Sequence, residues 1–366
     1  MIKKLLLVDD SALMRRVACD IIKSDSRFEV TKTARDGIEA LELLKENTYD
    51  AVILDVNMPR MDGLQLLREL RSANMKENVL MFSTTTGEGT KQTIEALELG
   101  AIDFIQKPDN IADATGDKFA ERFLELIAVV SKASTGEQPL QQTGRQNTGS
   151  VQYAETERSA GSSEIVLRPS AVTAGEKIVA IASSTGGPKA LQSVIPKLPG
   201  KLNAPVIIVQ HMPAGFTKSL AERLDSLSPM NVKEAEDGDM LQKGCVYIAP
   251  GGKHMKVAKS GNHTRIYFTM EPAREGVRPA ANYMYESLVD TAYDEVCCVV
   301  LTGMGADGTA GIKNLEQKKK LHIIAQNEST CAVYGMPKAI VASSLVNEIL
   351  PLEKIADAIS KDVGVQ

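Results

Sequence analysis

A serine hydroxyl attacks an acyl carbon once a base takes its proton, and an orienting carboxylate commonly holds that base in one tautomer. Three apolar runs in this chain end on such groups. Ser184 follows Ile178 to Ala182, His211 follows Val206 to Gln210, and Asp307 lies in Gly303-Met-Gly-Ala-Asp-Gly308 after Val296 to Leu301. The chain has four histidines, so the base can be sought by elimination. His263 sits in the polar turn Gly261-Asn262-His263-Thr264. His322 begins a strand after Lys318-Lys-Lys320, a charge run that reads as a solvated helix end. His254, in Pro250-Gly-Gly-Lys-His-Met255, is a rival because it lies in a glycine-rich loop after a strand. His211 fits best, directly behind its apolar run. On spacing alone, Ser183 and Thr185 are as good nucleophiles as Ser184. A purely structural reading also stands: Ser184 as an N-cap, His211 packed under a loop and Asp307 in a turn. Gly186 and Gly187 allow close approach of a ligand to the backbone, and Pro188 suits the first position of a helix, whose free N–H groups could meet an oxyanion.

A second set of groups is acidic. Asp9 and Asp10 end the run Leu5 to Val8, Asp55 ends Ala51 to Leu54, and Lys107 follows Asp103 to Ile105. Carboxylates sharing a pocket raise one another's pKa unless a cation intervenes, and an all-oxygen site of this kind suits Mg²⁺. Such an ion would offset the charge of an incoming phosphoryl group. Ser83, closing Val79 to Phe82, could add a hydroxyl, and Pro108 allows a cis turn that would fix the lysine. An Asp-Asp pair alone serves equally well as a cap for the helix after Ser11.

These groups can converge only if the runs are parallel strands, whose carboxyl ends face one crevice. From Lys3 to Val130 short apolar runs alternate with periodic segments at Leu13–Ile22, Leu64–Leu70, Thr90–Leu99 and Lys118–Val130, and a short strand is expected around Val30. That is a βα alternation, hence a parallel sheet with helices on both faces. A second alternation begins near Glu176, with strands expected at Ile178–Ala182, Val206–Gln210, Val246–Ala249, Val296–Leu301 and Leu321–Ala325. Between them Ala133 to Ser163 is dominated by Ser, Thr, Gln, Gly and Glu and lacks the apolar surface to offset its chain entropy. The expected architecture is α/β: two doubly wound parallel-sheet domains joined by a flexible linker, with residues 1–131 a flavodoxin-like first domain, 132–172 the tether and 173–361 a Rossmann-like hydrolytic domain.

Composition narrows the function. With a net charge of −5, the chain lacks the basic footprint of a nucleic-acid binder. Met1-Ile-Lys-Lys-Leu-Leu-Leu-Val imitates a signal peptide but runs at once into Asp9-Asp10, so it reads as a first strand. No stretch approaches the roughly 20 apolar residues of a membrane span. The five cysteines show no C-x-x-C spacing, which fits a cytosolic protein with reduced thiols, and Cys297 and Cys298 read as small buried hydrophobes. The Ser-Thr-Gly-Gly-Pro loop lacks the Gly-Lys-Ser/Thr of a P-loop.

Leu6-Leu-Val-Asp-Asp10, Leu54-Asp-Val-Asn-Met-Pro-Arg-Met-Asp-Gly63 and Gln106-Lys-Pro108 together resemble the response-regulator receiver domain, over about the first third of the chain. The resemblance implies that Asp55 is the phosphoacceptor and that Asp10, Asp55 and the carbonyl of Asn57 hold Mg²⁺. Asp9 would assist through water, Ser83 would contact the phosphoryl group and Lys107 would pair with it. Asp62-Gly63 reads as a turn and cap. Phe104 stands where many receivers place a switching aromatic, and a core aromatic fits as well.

Ser183-Ser-Thr-Gly-Gly-Pro188, Gln210-His-Met-Pro-Ala-Gly-Phe-Thr217, Ile248-Ala-Pro-Gly-Gly252 and Leu301-Thr-Gly-Met-Gly-Ala-Asp-Gly308 resemble the catalytic domain of the chemotaxis protein-glutamate methylesterases (CheB), from about Lys177 to Leu350. That likeness implies Ser184 as nucleophile, His211 as base and Asp307 as orienter. Thr185, Gly186 and the N–H of Met304 would line the centre, the last as an oxyanion donor, with no metal in the catalytic site. It further implies glutamyl γ-methyl esters of chemoreceptors as substrates, deamidation of receptor glutamines, and a chemotaxis histidine kinase of the CheA type as phosphodonor. The expected location is cytoplasmic, recruited to membrane receptor arrays, without membrane insertion or nucleic acid. Two features depart from the family pattern. Ala182-Ser183 replaces the usual Gly-Ala before the nucleophile, and Val363 to Gln366 lacks an aromatic-acidic receptor-binding pentapeptide. The competing readings are a receiver-controlled esterase or amidase for another protein, and a catalytically silent, phosphorylation-switched binding protein.

Overall fold

A computed structural model describes residues 2–83, 87–108, 116–132, 167–168 and 175–366. The first domain is built on five parallel strands: β1 (Lys3–Val8), β2 (Phe28–Ala34), β3 (Ala51–Asp55), β4 (Val79–Ser83) and β5 (Asp103–Gln106), in the order β2-β1-β3-β4-β5. All five residues of β3 and of β4 are buried, as parallel strands covered on both faces require. Helices α1 (Ala12–Lys23), α2 (Gly37–Glu46), α3 (Gly63–Ser72), α4 (Gly87–Leu99) and α5 (Asp117–Val130) supply the cover. Ser11 caps α1 through Met14 N–H, while Asp62 and Gln65 close a reciprocal capping box on α3, the role expected of Asp62. Helix α2 was not signalled by a strong run; Asp36 caps it through Ile38 and Glu39 N–H and is in turn bound by Arg60.

The second domain carries seven parallel strands in the order β14-β13-β12-β6-β7-β9-β8. They are β6 (Lys177–Ser183), β7 (Val206–Gln210), β8 (Asn231–Glu234), β9 (Cys245–Ile248), β12 (Glu295–Val300), β13 (Lys320–Gln326) and β14 (Glu348–Leu350). Two further strands, β10 (His254–Ser260) and β11 (His263–Thr269), form a separate antiparallel hairpin. Helices α6 (Gly187–Val194), α7 (Phe216–Leu227), α8 (Ala281–Ser287), α9 (Thr309–Glu316), α10 (Gly335–Val341) and α11 (Leu352–Val363) flank the sheet. The five strands expected here all form, within a residue or so at each end. Strand β6 is fully buried at the centre, with β7 on one side and β12 on the other, so the chain switches direction across it. Cys297 and Cys298 are buried in β12 and all five cysteines are free. No described helix is long and apolar enough to cross a membrane.

Apart from Lys132, Leu167 and Arg168, the expected linker lies outside the described residues. Arg168 is held on the second domain, its N–H donating to the Val346 carbonyl at 3.0 Å and its guanidinium pairing with Glu316 at 2.6 Å. The domains meet along α4 and α7. Thr90 and Ser219 share a buried hydrogen bond of 2.7 Å, and Arg223 grips Glu98 at 2.6 and 2.8 Å. The Phe104 and Phe216 rings stack with centroids 4.4 Å apart, within one apolar cluster that spans both domains.

Candidate active site

The switch across β6 sets the site. Ser184 follows β6, His211 follows β7, and the loop after β12 carries Asp307, so three neighbouring strand ends deliver the three groups to one crevice. Ser184 and Asp307 are 5% and 2% exposed. The His211 Nε2–H donates to Asp307 Oδ2 at 2.8 Å, which fixes the tautomer and leaves Nδ1 with the lone pair. Asp307 also accepts the N–H groups of Ala281 at 2.6 Å and Asn282 at 3.0 Å, at the start of α8. Burial pushes its carboxyl up, but the bond to His211, the electrostatic attraction of that ring and the two N–H donors outweigh it and hold Asp307 below the ordinary carboxylate range. Among the described residues no hydrogen bond joins Ser184 Oγ to the ring; such contacts commonly close only with substrate bound.

Backbone bonds hold the loops in place. Ser184 N–H donates to the Thr302 carbonyl at 3.0 Å, and His211 N–H donates to the Ser183 carbonyl at 3.1 Å. Gly186 adopts φ +74°, and a side chain there would meet Ala332 Cβ at 2.6 Å. A cleft of about 750 Å³ opens over Ser184, His211, Met304 and Asp307. Arg278 and, from the first domain, Arg122 stand on its walls. A second cavity of about 410 Å³ joins Phe104 and Lys107 to Ser184, Thr185 and His211. Thr185 is 2% exposed beside Ser184.

The rival histidine has another task. His254 opens β10 and is fully buried; its Nδ1 accepts Ala280 N–H at 3.1 Å and its Nε2–H donates to the Pro272 carbonyl at 3.2 Å. Burial pulls it below the ordinary histidine range, so the neutral ring braces the peptide just ahead of the Asp307 donors. His322 lies within β13 and pairs with Glu348 at 2.9 Å, and His263 begins β11 rather than sitting in the turn. The Ala281 and Asn282 donors have no sequence signal, because they open α8, a short helix that carries no motif.

In the first domain, Asp9, Asp10 and Asp55 each bring an oxygen within 4.8 Å of the others. Lys107 Nζ lies 2.7 Å from both Asp9 and Asp55. Asp9 also accepts Ser11 N–H at 2.8 Å, and Asn57 N–H reaches Asp55 at 3.4 Å. Burial pushes Asp55 up to about 6; Lys107 opposes the shift and Asp9 adds to it. Hard carboxylate oxygens, crowded and under-neutralised by one lysine, fit a divalent cation such as Mg²⁺. Ser83 is buried and bonds to Thr93. The suggested cis turn at Pro108 does not form: the one cis peptide among the described residues is Arg278–Pro279. Lys107 is fixed instead by its two carboxylates and by its N–H, which donates to the Ser83 carbonyl at 2.6 Å. Phe104 belongs to the domain interface.

Residues 179–359 match the CheB methylesterase family and residues 5–115 the response regulator receiver domain. The chain is 41% identical over 362 residues to a protein-glutamate methylesterase/protein-glutamine glutaminase 1 of Syntrophomonas wolfei, covering 98% of each. It is 41% identical over 361 residues to the protein-glutamate methylesterase/protein-glutamine glutaminase of Bacillus subtilis, again covering 98% of each. The crystal structure of the Thermotoga maritima CheB methylesterase catalytic domain matches with a TM-score of 0.49 at 41% identity, over 51% of this chain and 98% of that one.

Proposed function

Since the chain belongs to the CheB methylesterase family and carries a response regulator receiver domain ahead of the catalytic domain, we propose that Ser184 is its nucleophile, His211 its general base and Asp307 the carboxylate that orients the base. The activity is that of a protein-glutamate methylesterase of chemotaxis, with deamidation of receptor glutamine at the same site. The observation that carries the site assignment is the 2.8 Å bond from His211 Nε2–H to Asp307 beside the neighbouring strand end that bears Ser184. Its tautomer leaves Nδ1 to take the Ser184 proton.

Ser184 Oγ then bonds to the γ-carbonyl carbon of the ester. The oxygen of that carbonyl takes up charge beside the Met304 N–H, with Thr185 and Gly186 lining the centre. His211 returns the proton to the departing methoxide, methanol leaves and a glutamyl ester on Ser184 remains. Water gives its proton to His211 and attacks that ester, freeing the glutamate and restoring Ser184. With glutamine, ammonia leaves in place of methanol. No step calls for a metal.

Asp55 accepts phosphate from a CheA-type histidine kinase or a small acyl phosphate. Asp10, Asp55 and the Asn57 carbonyl would hold Mg²⁺, whose charge offsets that of the incoming phosphoryl group, while Lys107 pairs with the product and Asp9 and Ser83 complete the pocket. The receiver's Phe104 and α5 border the same cavities as the catalytic groups, which supports a docked, unphosphorylated form that restricts access of the receptor. Phosphorylation shifts the population to an open form. The enzyme works in the cytoplasm on receptor cytoplasmic domains, at the membrane arrays that hold them.

Ser184→Ala and His211→Ala, each shown to be folded, should lower methanol release from methylated receptor fragments by about 10⁴-fold or more. Near-normal release by either variant would overturn the assignment.

A further inference from the structure

Gln210, the residue before the general base, makes contacts that the catalytic scheme above does not use. It ends β7, is 1% exposed, and sends its side chain across to the end of β6. Its Nε2 donates to the Ser184 carbonyl at 2.9 Å and to the His211 carbonyl at 3.3 Å. Its Oε1 accepts the Ser183 hydroxyl at 2.6 Å. The reversed amide would face two carbonyls with its oxygen, so the network admits one orientation. Space has been cleared for the group: a Cβ on Gly187 would sit 1.9 Å from Gln210 Oε1. The Ser184 carbonyl thus receives two donors, this amide and Gly187 N–H at 2.7 Å.

A buried amide that donates to the peptides of two residues on adjacent strand ends ties their separation to its own rigid geometry. We propose that Gln210 is a positioning residue for hydrolysis, setting the distance and angle between the Ser184 nucleophile and the His211 base. This rests on the assignment of Ser184 and His211 made above. Backbone bonding between β6 and β7 reaches only one of the two reacting residues: His211 N–H bonds to the Ser183 carbonyl at 3.1 Å, whereas Ser184 lies beyond the last pair, Ser183 with Gln210, and its N–H turns to Thr302 on the other side.

The test is Gln210→Glu in the full chain, activated with acetyl phosphate and Mg²⁺. The variant keeps shape and the acceptor for Ser183. When ionised it has no donor for the two carbonyls, and when protonated it regains one, so its activity should depend on pH as no packing defect would. Near pH 8 kcat for methanol release should fall by about ten- to a hundredfold, the scale of a small misplacement of reacting groups, with KM within about twofold because receptor contacts are untouched. The variant-to-parent ratio of kcat should climb as pH is lowered, since burial raises the pKa of an introduced carboxyl. A kcat within about twofold of the parent near pH 8, a ratio flat with pH, or loss of fold at every pH would each overturn the proposal. Ser184→Ala in the same assay keeps the two claims separate: if it stays active, the triad fails, whereas an inactive Ser184→Ala beside an unaltered Gln210→Glu removes Gln210 alone.

Discussion

Phe104 at the second position of β5 stacks on Phe216 at the first position of α7, ring centroids 4.4 Å apart, and so joins the receiver's sheet to a helix of the second domain. Stacked pairs contribute about 0.5–1.5 kcal/mol beyond their burial. Phe104→Ala should therefore favour the undocked form and raise the methanol-release rate of the unphosphorylated chain by about three- to tenfold. The fully phosphorylated rate should change little. An unchanged or lower basal rate would show that this contact does not hold the receiver closed.

The Glu98–Arg223 pair makes the same case through charge, with bonds of 2.6 and 2.8 Å. Arg223→Glu places like charges together and should raise basal activity, and adding Glu98→Arg should restore repression. The check is a double-mutant cycle on the unphosphorylated rate, with a coupling of about 0.2–1 kcal/mol expected for a partly exposed pair. Additive effects would mean that the two residues do not act on each other.

Asp55→Asn should abolish phosphate labelling in the presence of Mg²⁺ and also stabilise the receiver. Burial pushes Asp55 up to about 6 from 3.8 in its ordinary state. An acid with a raised folded pKa favours the fold below its unfolded value, and that advantage is lost as pH rises through the folded value. The ionised carboxylate at pH 7 then costs roughly 2–3 kcal/mol. Urea denaturation in Mg²⁺-free buffer should show the variant more stable than the parent at pH 7, with the gap closing between pH 6 and 4. A gap that is absent at pH 7 or widens in acid would contradict the account.

Asp307→Asn should lower kcat by about 10⁴-fold, because the amide no longer holds the His211 tautomer. It would also turn an NH₂ group or a weaker acceptor toward the Ala281 and Asn282 N–H donors. Asp307 is held below the ordinary carboxylate range, so the stability it contributes is present above its unfolded pKa and is lost as pH falls through its folded one. Acid unfolding monitored by circular dichroism should lose this contribution in the Asn variant; an unchanged acid limb would argue against it.

Apart from the half-exposed edge strands β8 and β14, both sheets and the three strand-end groups were legible in the sequence because fully buried parallel strands read as short apolar runs, and parallel strands present their carboxyl ends together. The β10–β11 hairpin was not, since Lys256, Lys259 and Arg265 break its apolar pattern. Helix α2 escaped for a similar reason: its start depends on the Asp36 cap and the Arg60 contact from a distant loop. From sequence, Phe104 fits a switching role and a core role equally well. Its partner, Phe216, lies in the other domain, and no local pattern reports such a contact. Gln210 opens the Gln210-His-Met-Pro-Ala-Gly-Phe-Thr217 motif, yet its task is visible only when the ends of β6 and β7 stand side by side.

The proposed gating of the Ser184–His211–Asp307 centre by the receiver has a kinetic readout. Methanol release from methylated receptor fragments by the full chain and by the fragment from about Lys177 onward, each with and without acetyl phosphate and Mg²⁺, tests it most directly. The fragment should be faster than the unphosphorylated full chain and indifferent to phosphodonor, while the full chain speeds up on phosphorylation. A folded fragment no faster than the unphosphorylated full chain would contradict the claim and mean that the receiver activates by positive contact.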